Sequence, residues 1–281
     1  MHVEKELPHL VRLLDDEDPE VRRILSERFA ACRGDVSAEL SRLGINLEDQ
    51  DRSRLSLLLA PGRRRQVRCQ WAVPQQGLDA SSGDWESFEL LLRLVSELLH
   101  DGTSVRPTLP DALDQLADEA VLHDAHRDEQ SLCQFLFASG RFQGSKTGFY
   151  QPGNADLLWV ITNREGNPIS LAVLAMLGAH RLELTIAGCN FPAHFLAWIS
   201  VQGKPHLVDC FGGGRLIPVE EIRGNSAVLT PDSRRAIQEP CTMRAILIRI
   251  LRNLHLAFTQ KNQDNDANLT EELLLSLQPT Q

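Results

Sequence analysis

The chain has 281 residues, a length that predicts about two domains if ~150 residues form one. Its 29 basic and 38 acidic residues give a net charge of −9, and 42% of its residues are hydrophobic. This composition excludes a wholly disordered or collagen-like chain. The acidic balance argues against nonspecific binding of nucleic acid. No apolar run approaches the ~18 residues of a membrane-spanning helix.

The N-terminal residues and the cysteines predict a cytoplasmic protein. Residues 1–14 are charged and lack the apolar stretch of a signal peptide. Six cysteines are scattered singly along the chain, without a Cys-x-x-Cys pair. This pattern predicts neither a disulfide framework nor a zinc site, and we expect no cofactor.

The first predicted elements are two short amphipathic helices. The second helix begins with Asp18 as N-cap, Pro19 at the first helical position and Glu20 in the first turn. Apolar residues recur with helical spacing in the first of them: Leu7, Leu10, Val11 and Leu14. The pair is similar to one unit of a HEAT-type repeat, although no second copy follows at a fixed period. An ordinary helical hairpin explains the same pattern.

Two charged clusters follow. The segment 63–68 contains four arginines, which we interpret as a solvated face rather than a nucleic-acid site. The segment 123–128 contains two histidines and two aspartates beyond a helix that opens at Pro110. A His-x-x-His spacing can hold a metal on one helical face, but no third ligand is spaced to close the site. We therefore expect an exposed helix end there, and no metal.

The segment 167–209 has the clearest pattern. Asn167 as N-cap and Pro168 at the first position predict a helix, which is apolar almost all round and should be buried. Alternating apolar residues predict three strands after it, at 182–187, 194–201 and 206–209. His194 then opens one strand and Asp209 ends the next, 15 residues later. Adjacent antiparallel strands would let the aspartate orient the imidazole.

Several motifs in this region resemble a known family, the SirB-like branch of the transglutaminase-like proteins. They are GNPISLAVL, RLELTIAG, FPAHFLAW and VDCFGGGRL, and RILRNLH from Arg249 to His255 resembles the link that follows the core. The resemblance covers about 132–255 and implies a bacterial protein with a transglutaminase-like, or papain-like, core. It puts His194 and Asp209 on the histidine and the aspartate of the family.

The same resemblance implies that the catalytic cysteine is missing. In active transglutaminase-like proteins a thiol opens the buried helix, where the helix dipole and an imidazole lower its pKa. Pro168 stands at that position and cannot attack a carbonyl, a pattern that the SirB-like branch often carries. Two smaller departures are Ala193, where a glycine usually precedes the histidine, and Cys210, where a proline usually follows the aspartate.

Other side chains are candidates to replace the missing thiol. Ser170 lies on the same helix and would complete a Ser–His–Asp triad with His194 and Asp209, although a serine at this position more often caps the helix or packs. Cys189 precedes His194 by five residues and could approach it if the strand pairing bends. Cys210 should point away from its neighbour Asp209. A cysteine in a β core is more often a small buried hydrophobe.

A metal site is the remaining alternative at this position. It would use His194 and Asp209 with His180 or His206 as a third ligand. His206 precedes Asp209 by three residues, so the two should face opposite sides of a regular strand. We therefore favour a structural hydrogen bond between His194 and Asp209, with no metal.

The predicted fold class is α+β, in three parts. Residues 1–105 form a helical region with the HEAT-like hairpin, 106–240 a transglutaminase-like core with a buried helix and short antiparallel sheet, and 241–281 a C-terminal helix with a truncated tail. The predicted function is a non-catalytic binding or regulatory module with an unknown protein partner, without nucleic acid or membrane. The alternative is a hydrolase or acyl transferase on amide bonds that uses a non-standard nucleophile with His194 and Asp209.

Overall fold

The computed structural model describes residues 3–79, 83–146, 151–224 and 229–278, and it has the predicted α+β fold. The chain forms two compact units. The first unit comprises Met1–Trp71 and Glu97–Pro107, and the second comprises Ala72–Ser96 and Thr108–Gln281.

The first unit is helical. Asp18 caps its second helix as predicted, because its carboxylate accepts the backbone N–H of Glu20 at 2.7 Å. Its helices are α1 (Val3–Val11), α2 (Pro19–Ala30), α3 (Ser37–Arg42) and α4 (Asp49–Gln70). Their buried faces form one apolar core that includes Leu7, Leu25, Phe29, Leu55 and Leu59.

The expectation of a solvated arginine face on α4 is wrong for Arg63, and the exposed Arg65 also binds backbone carbonyls. The half-buried Arg63 donates from Nη1 to the carbonyl of Asp101 at 3.0 Å. Arg65 donates to the carbonyls of Ala30 at 2.9 Å and Cys32 at 2.8 Å. Carbonyls at the end of a helix lack intrahelical partners, so the guanidinium group of Arg65 satisfies the end of α2.

The second unit is built around one buried helix. Its helices are α5 (Trp85–Leu99, with most of its residues in this unit), α6 (Leu109–Leu122), α7 (Glu129–Cys133), α8 (Leu157–Asn163), α9 (Pro168–Arg181), α10 (Val219–Gly224), α11 (Pro231–Ala236), α12 (Met243–Gln260) and α13 (Asp264–Ser276). A π-helical segment, Gln134–Ala138, continues α7, and a 3-10 turn, Pro152–Ala155, precedes α8. Helix α9 contacts α6, α7 and α8, and every residue from Pro168 to Ala179 is buried. Its apolar surface all round explains this central place.

Among the described residues of the second unit, six strands form two sheets. The strands are β1 (Gln143–Gly144), β2 (Glu165–Gly166), β3 (Ala187–Cys189), β4 (Leu196–Val201), β5 (Lys204–Asp209) and β6 (Arg215–Pro218). The first two pair in parallel, and the other four form an antiparallel sheet in the order β3-β4-β5-β6. Helix α9 packs against β3 and β4. The sheet thus brings the start of β4 and the end of β5 side by side.

The prediction of a strand at 182–187 is wrong in its position, because strand β3 begins only at Ala187. Glu183 has a left-handed φ of 57°, and the N–H of Leu184 binds the carbonyl of Ala179 at 2.9 Å. This tight turn closes α9 and delays the strand to Ala187. Strand β6 was not expected from the sequence at all.

None of the helices in the described ranges combines the length and apolarity that a bilayer crossing requires.

Candidate functional site

The side chains of His194 and Asp209, which the sequence singles out, lie in contact. Nε2 of His194 is 2.8 Å from Oδ1 of Asp209. The pairing of β4 with β5, in which Ala197 lies opposite Val208, carries both residues to the same end of the hairpin. The imidazole remains 36% exposed and the carboxylate 16% exposed. The pair therefore faces solvent on one side and the fold on the other.

The turn after β5 holds the carboxylate of Asp209 in this orientation. The backbone N–H of Gly212 donates to Oδ1 at 2.8 Å, and the N–H of Gly214 donates to the Asp209 carbonyl at 2.8 Å. A Cβ on Gly212 would lie 2.4 Å from Oδ2, so only glycine permits this approach. Since Asp209 engages Nε2, the ring of His194 keeps Nδ1 for another partner. Nδ1 makes no hydrogen bond to the described residues.

A chain of contacts joins His194 to the start of α9. The ring of Phe211 stands edge-on to the imidazole, with centroids 6.0 Å apart. The same phenyl ring packs on Gly144, where a Cβ would lie 2.7 Å from it. Gly144 pairs with Gly166, which precedes the N-cap Asn167. The first turn of α9 is thus connected to the imidazole through β1 and one aromatic ring.

The predicted positions in the first turn of α9 hold a buried proline and a capping serine. Pro168 is buried at the first helical position. Ser170 is 2% exposed, and its hydroxyl donates to the carbonyl of Asn167 at 3.1 Å while its N–H donates to the Asn167 side chain at 2.9 Å. These are capping interactions, so the serine hydroxyl already has its acceptor.

The two cysteines near the site are buried thiols. Sγ of Cys189 lies 3.2 Å from the carbonyl of Ala236, and burial raises the pKa of this thiol to about 12. Cys210 is fully buried, and burial raises the pKa of its thiol well above the usual value. The thiolate is the reactive form of cysteine, and burial disfavours this form in both side chains.

The histidines considered as metal ligands have other partners. His180 lies near the far end of α9 and stacks on Trp85, with ring centroids 4.5 Å apart and planes at 9°. Nδ1 of His206 lies 3.0 Å from the carbonyl of Lys204. Across the described ranges, no three His, Cys, Asp or Glu side chains come together in a group that could hold a metal ion.

Sequence reasoning missed one residue that holds the histidine turn. Nη1 of Arg249, on α12, donates to Oδ1 of Asn190 at 2.6 Å and to the carbonyl of Phe191 at 2.9 Å. Its guanidinium carbon lies 5.4 Å from the ring centroid of Phe195. The turn 190–193 leads directly into His194. The resemblance of RILRNLH was a signal, but it did not indicate what the arginine touches.

The fold and the His–Asp pair define an α+β protein whose core is a buried helix packed on an antiparallel sheet. The sequence model of the transglutaminase-like superfamily matches residues 107–252, just over half of the chain, and the chain belongs to this superfamily. The predicted transglutaminase-like core is thus confirmed.

Individual relatives are similar over part of the chain. A UPF0162 protein of Xylella fastidiosa (strain 9a5c) is 36% identical over 154 residues, which cover 53% of this chain and 55% of that protein. A UPF0162 protein of Pseudomonas aeruginosa is 41% identical over 91 residues, 28% of this chain and 33% of that protein. Mouse F-box only protein 21 is 26% identical over 157 residues, 52% of this chain and 25% of that protein.

The chain spans about half the length of the Xylella relative that it matches. No solved structure matches the chain.

Proposed function

We propose that this chain is a non-catalytic transglutaminase-like protein of the SirB-like branch, and that it acts as a binding or regulatory module. The observation that carries the proposal is Pro168 at the first position of α9, where an active member would have its thiol. Proline has no group that can attack a carbonyl, whatever the state of His194.

The surroundings of His194 support this proposal. The hydroxyl of Ser170 is used in capping, and the thiols of Cys189 and Cys210 are held protonated by burial. A His–Asp pair without a nucleophile still provides a charge-assisted hydrogen bond across β4 and β5. In this proposal the contact between His194 and Asp209 is structural.

The proposed partner is a protein in the cytoplasm. The half-exposed His194 and Phe211 lie at the position of the proposed former active site, which supplies one candidate surface. The HEAT-like hairpin of α1 and α2 supplies a second. In this proposal the chain has three parts: a helical region at 1–105, a transglutaminase-like core at 106–240 and a C-terminal helix with its tail at 241–281.

The experiment is chemical labelling of the purified full chain. A small thiol alkylator and, separately, a fluorophosphonate are applied to the wild type, to His194→Ala and to the matched control His206→Ala. The exposed Cys69 should react in all three proteins at one rate and serves as the internal reference. We expect slow labelling elsewhere that does not depend on His194. Rapid labelling of Ser170, Cys189 or Cys210 that His194→Ala abolishes would overturn the proposal.

A second candidate function is a hydrolase or acyl transferase on amide bonds. The observation that favours it is the preserved orientation of His194, with Nε2 on Asp209 and Nδ1 available to a general-base step. It requires a non-standard nucleophile, such as Ser170 or Cys189. Turnover of an amide substrate that is lost in both His194→Ala and Asp209→Asn would favour this candidate over the first.

A further inference from the structure

A cleft of about 450 Å³ opens beside the turn 190–193, and it is lined by that turn, by α11 and by the start of α12. Its volume is within the range of small-molecule sites, which are ~300–1,000 Å³. Neither His194 nor Asp209 lines it, so what it binds is independent of the proposed function.

The cleft contains an arginine that forms no ion pair with the residues that the structure describes. Arg249 is half-buried, and burial lowers the pKa of its guanidinium from the usual value. No carboxylate among the described residues forms an ion pair with it; Nη1 binds only the neutral oxygens of Asn190 and Phe191. Nε and Nη2 make no hydrogen bonds to the described residues, which leaves three N–H donors. A partly desolvated cation is costly until an anion pairs with it.

Two backbone N–H groups in the first turn of α12, beside the cleft, already have acceptors. The N–H of Arg244 binds the carbonyl of Leu78 at 2.8 Å. The N–H of Ala245 binds the hydroxyl of Thr242 at 3.1 Å. An anion in the cleft would therefore be held by guanidinium groups.

The rim of the cleft carries charges of both signs. Arg235, Asp232 and Glu239 are exposed, and none of them forms an ion pair with another described residue. Together with Arg249 the lining has two cations and two anions, so it is neutral overall. A ligand with a single charge would be attracted by two of these groups and repelled by the other two, whereas a dipolar ligand can satisfy both signs.

We propose that this cleft binds a free amino acid in its zwitterionic form. The carboxylate pairs with the available N–H groups of Arg249, which present the planar geometry that a carboxylate matches. The ammonium group faces Asp232 and Glu239. The apolar side chains of Pro192 and Ala236, which also line the cleft, accommodate an aliphatic side chain.

The test is a calorimetric titration of the full chain with three probes. L-leucine has both charges, L-leucinamide lacks the carboxylate, and N-acetyl-L-leucine lacks the ammonium group. We expect saturable binding of L-leucine, and an affinity for each of the other two that is lower by about 10-fold or more, since each loses a charge-assisted contact.

Variants identify the groups responsible. Arg249→Met should lower the affinity for L-leucine by about 10-fold or more, whereas Arg252→Met, on the exposed side of the same helix, should leave it unchanged. The double variant Asp232→Asn with Glu239→Gln should lower the affinity for L-leucine but not for N-acetyl-L-leucine. It changes only exposed side chains, so it remains informative if Arg249→Met fails to fold.

Three outcomes would overturn the inference. They are the absence of saturable L-leucine binding at millimolar concentration, equal affinity for the three probes, and equal behaviour of folded Arg249→Met and Arg252→Met.

Discussion

The ring of Phe211 stands edge-on to the imidazole of His194, with planes at 87° and centroids 6.0 Å apart. Gly144 packs against the phenyl ring, since a Cβ at this position would lie 2.7 Å from it. We expect Gly144→Ala to displace Phe211 and to destabilise the protein by about 1–3 kcal/mol, the usual cost of overpacking. The imidazole resonance of His194 should lose its ring-current shift in this variant and in Phe211→Leu.

The measurement is a proton–carbon correlation spectrum of the histidine rings. Phe135→Leu is the control, because its ring contacts His123 at a centroid distance of 5.4 Å. That variant should shift the resonance of His123 and leave that of His194 in place. An unchanged His194 resonance in Phe211→Leu would contradict the contact.

Ala193 adopts a left-handed φ of 62° immediately before His194. This conformation costs an L-residue with a side chain roughly 1–2 kcal/mol of free energy, whereas glycine adopts it freely. We expect Ala193→Gly to raise the free energy of unfolding by about 1 kcal/mol, as measured by denaturant unfolding. Ala257→Gly, in the helical backbone of α12, should lower it by about the same amount. Equal signs for the two variants would contradict this account of the turn.

Arg181 joins the last turn of α9 to two other helices. It forms a two-pronged pair with Glu89, at 2.9 Å for each bond, and a further bond to Asp114 at 2.6 Å, with only 14% of its side chain exposed. Removing one partner of a largely buried pair leaves the other charge desolvated. We expect Arg181→Met to reduce the free energy of unfolding by about 3 kcal/mol. The exposed Arg252→Met should change it by less than about 0.5 kcal/mol, and comparable losses would refute a buried network.

The lowered pKa of Asp35 predicts that the protein loses stability in acid. Burial opposes its ionisation, but hydrogen bonds from His100 and Ser37 outweigh this and lower its pKa to about 2. The folded pKa is below the unfolded value of about 3.8. The stabilisation is therefore present above pH 4 and is lost as the pH falls towards 2. The carboxylate is half-exposed, so we expect only about 1 kcal/mol.

The measurement is denaturant unfolding of the wild type and Asp35→Asn between pH 7 and pH 2. The variant should be less stable at pH 7, and the difference should shrink towards zero at pH 2. Asp15→Asn, at an exposed aspartate that makes no hydrogen bond to the described residues, should show no such trend. A constant difference for Asp35→Asn across this range would contradict the proposed role.

The local signals in the sequence predicted the helices well and the strands less well. The start of α9 follows from Asn167 and Pro168, because capping and proline geometry depend only on neighbours in the chain. The strand start was misplaced because Leu184 is held by a carbonyl of the preceding helix. Strand β6 was missed because the glycines at 212–214 indicated an end, whereas they form the turn that returns the chain to the sheet.

The candidate site was only half predictable for a similar reason. His194 and Asp209 lie on adjacent strands, so their pairing follows from a short-range hairpin pattern. Gly144 and Arg249 reach the same place from distant segments, and Phe211, two residues after Asp209, packs on Gly144. Their contacts depend on tertiary packing, which the local periodicity of the sequence cannot predict.

The bond from Arg249 to the turn before His194 has a consequence for the order of synthesis. During translation the four strands of the antiparallel sheet leave the ribosome before α12 does. A nascent chain can therefore pair these strands while the turn that carries His194 still lacks its arginine. The pocket beside that turn is completed only when the later helix arrives, so its assembly marks a late step in the maturation of the second unit.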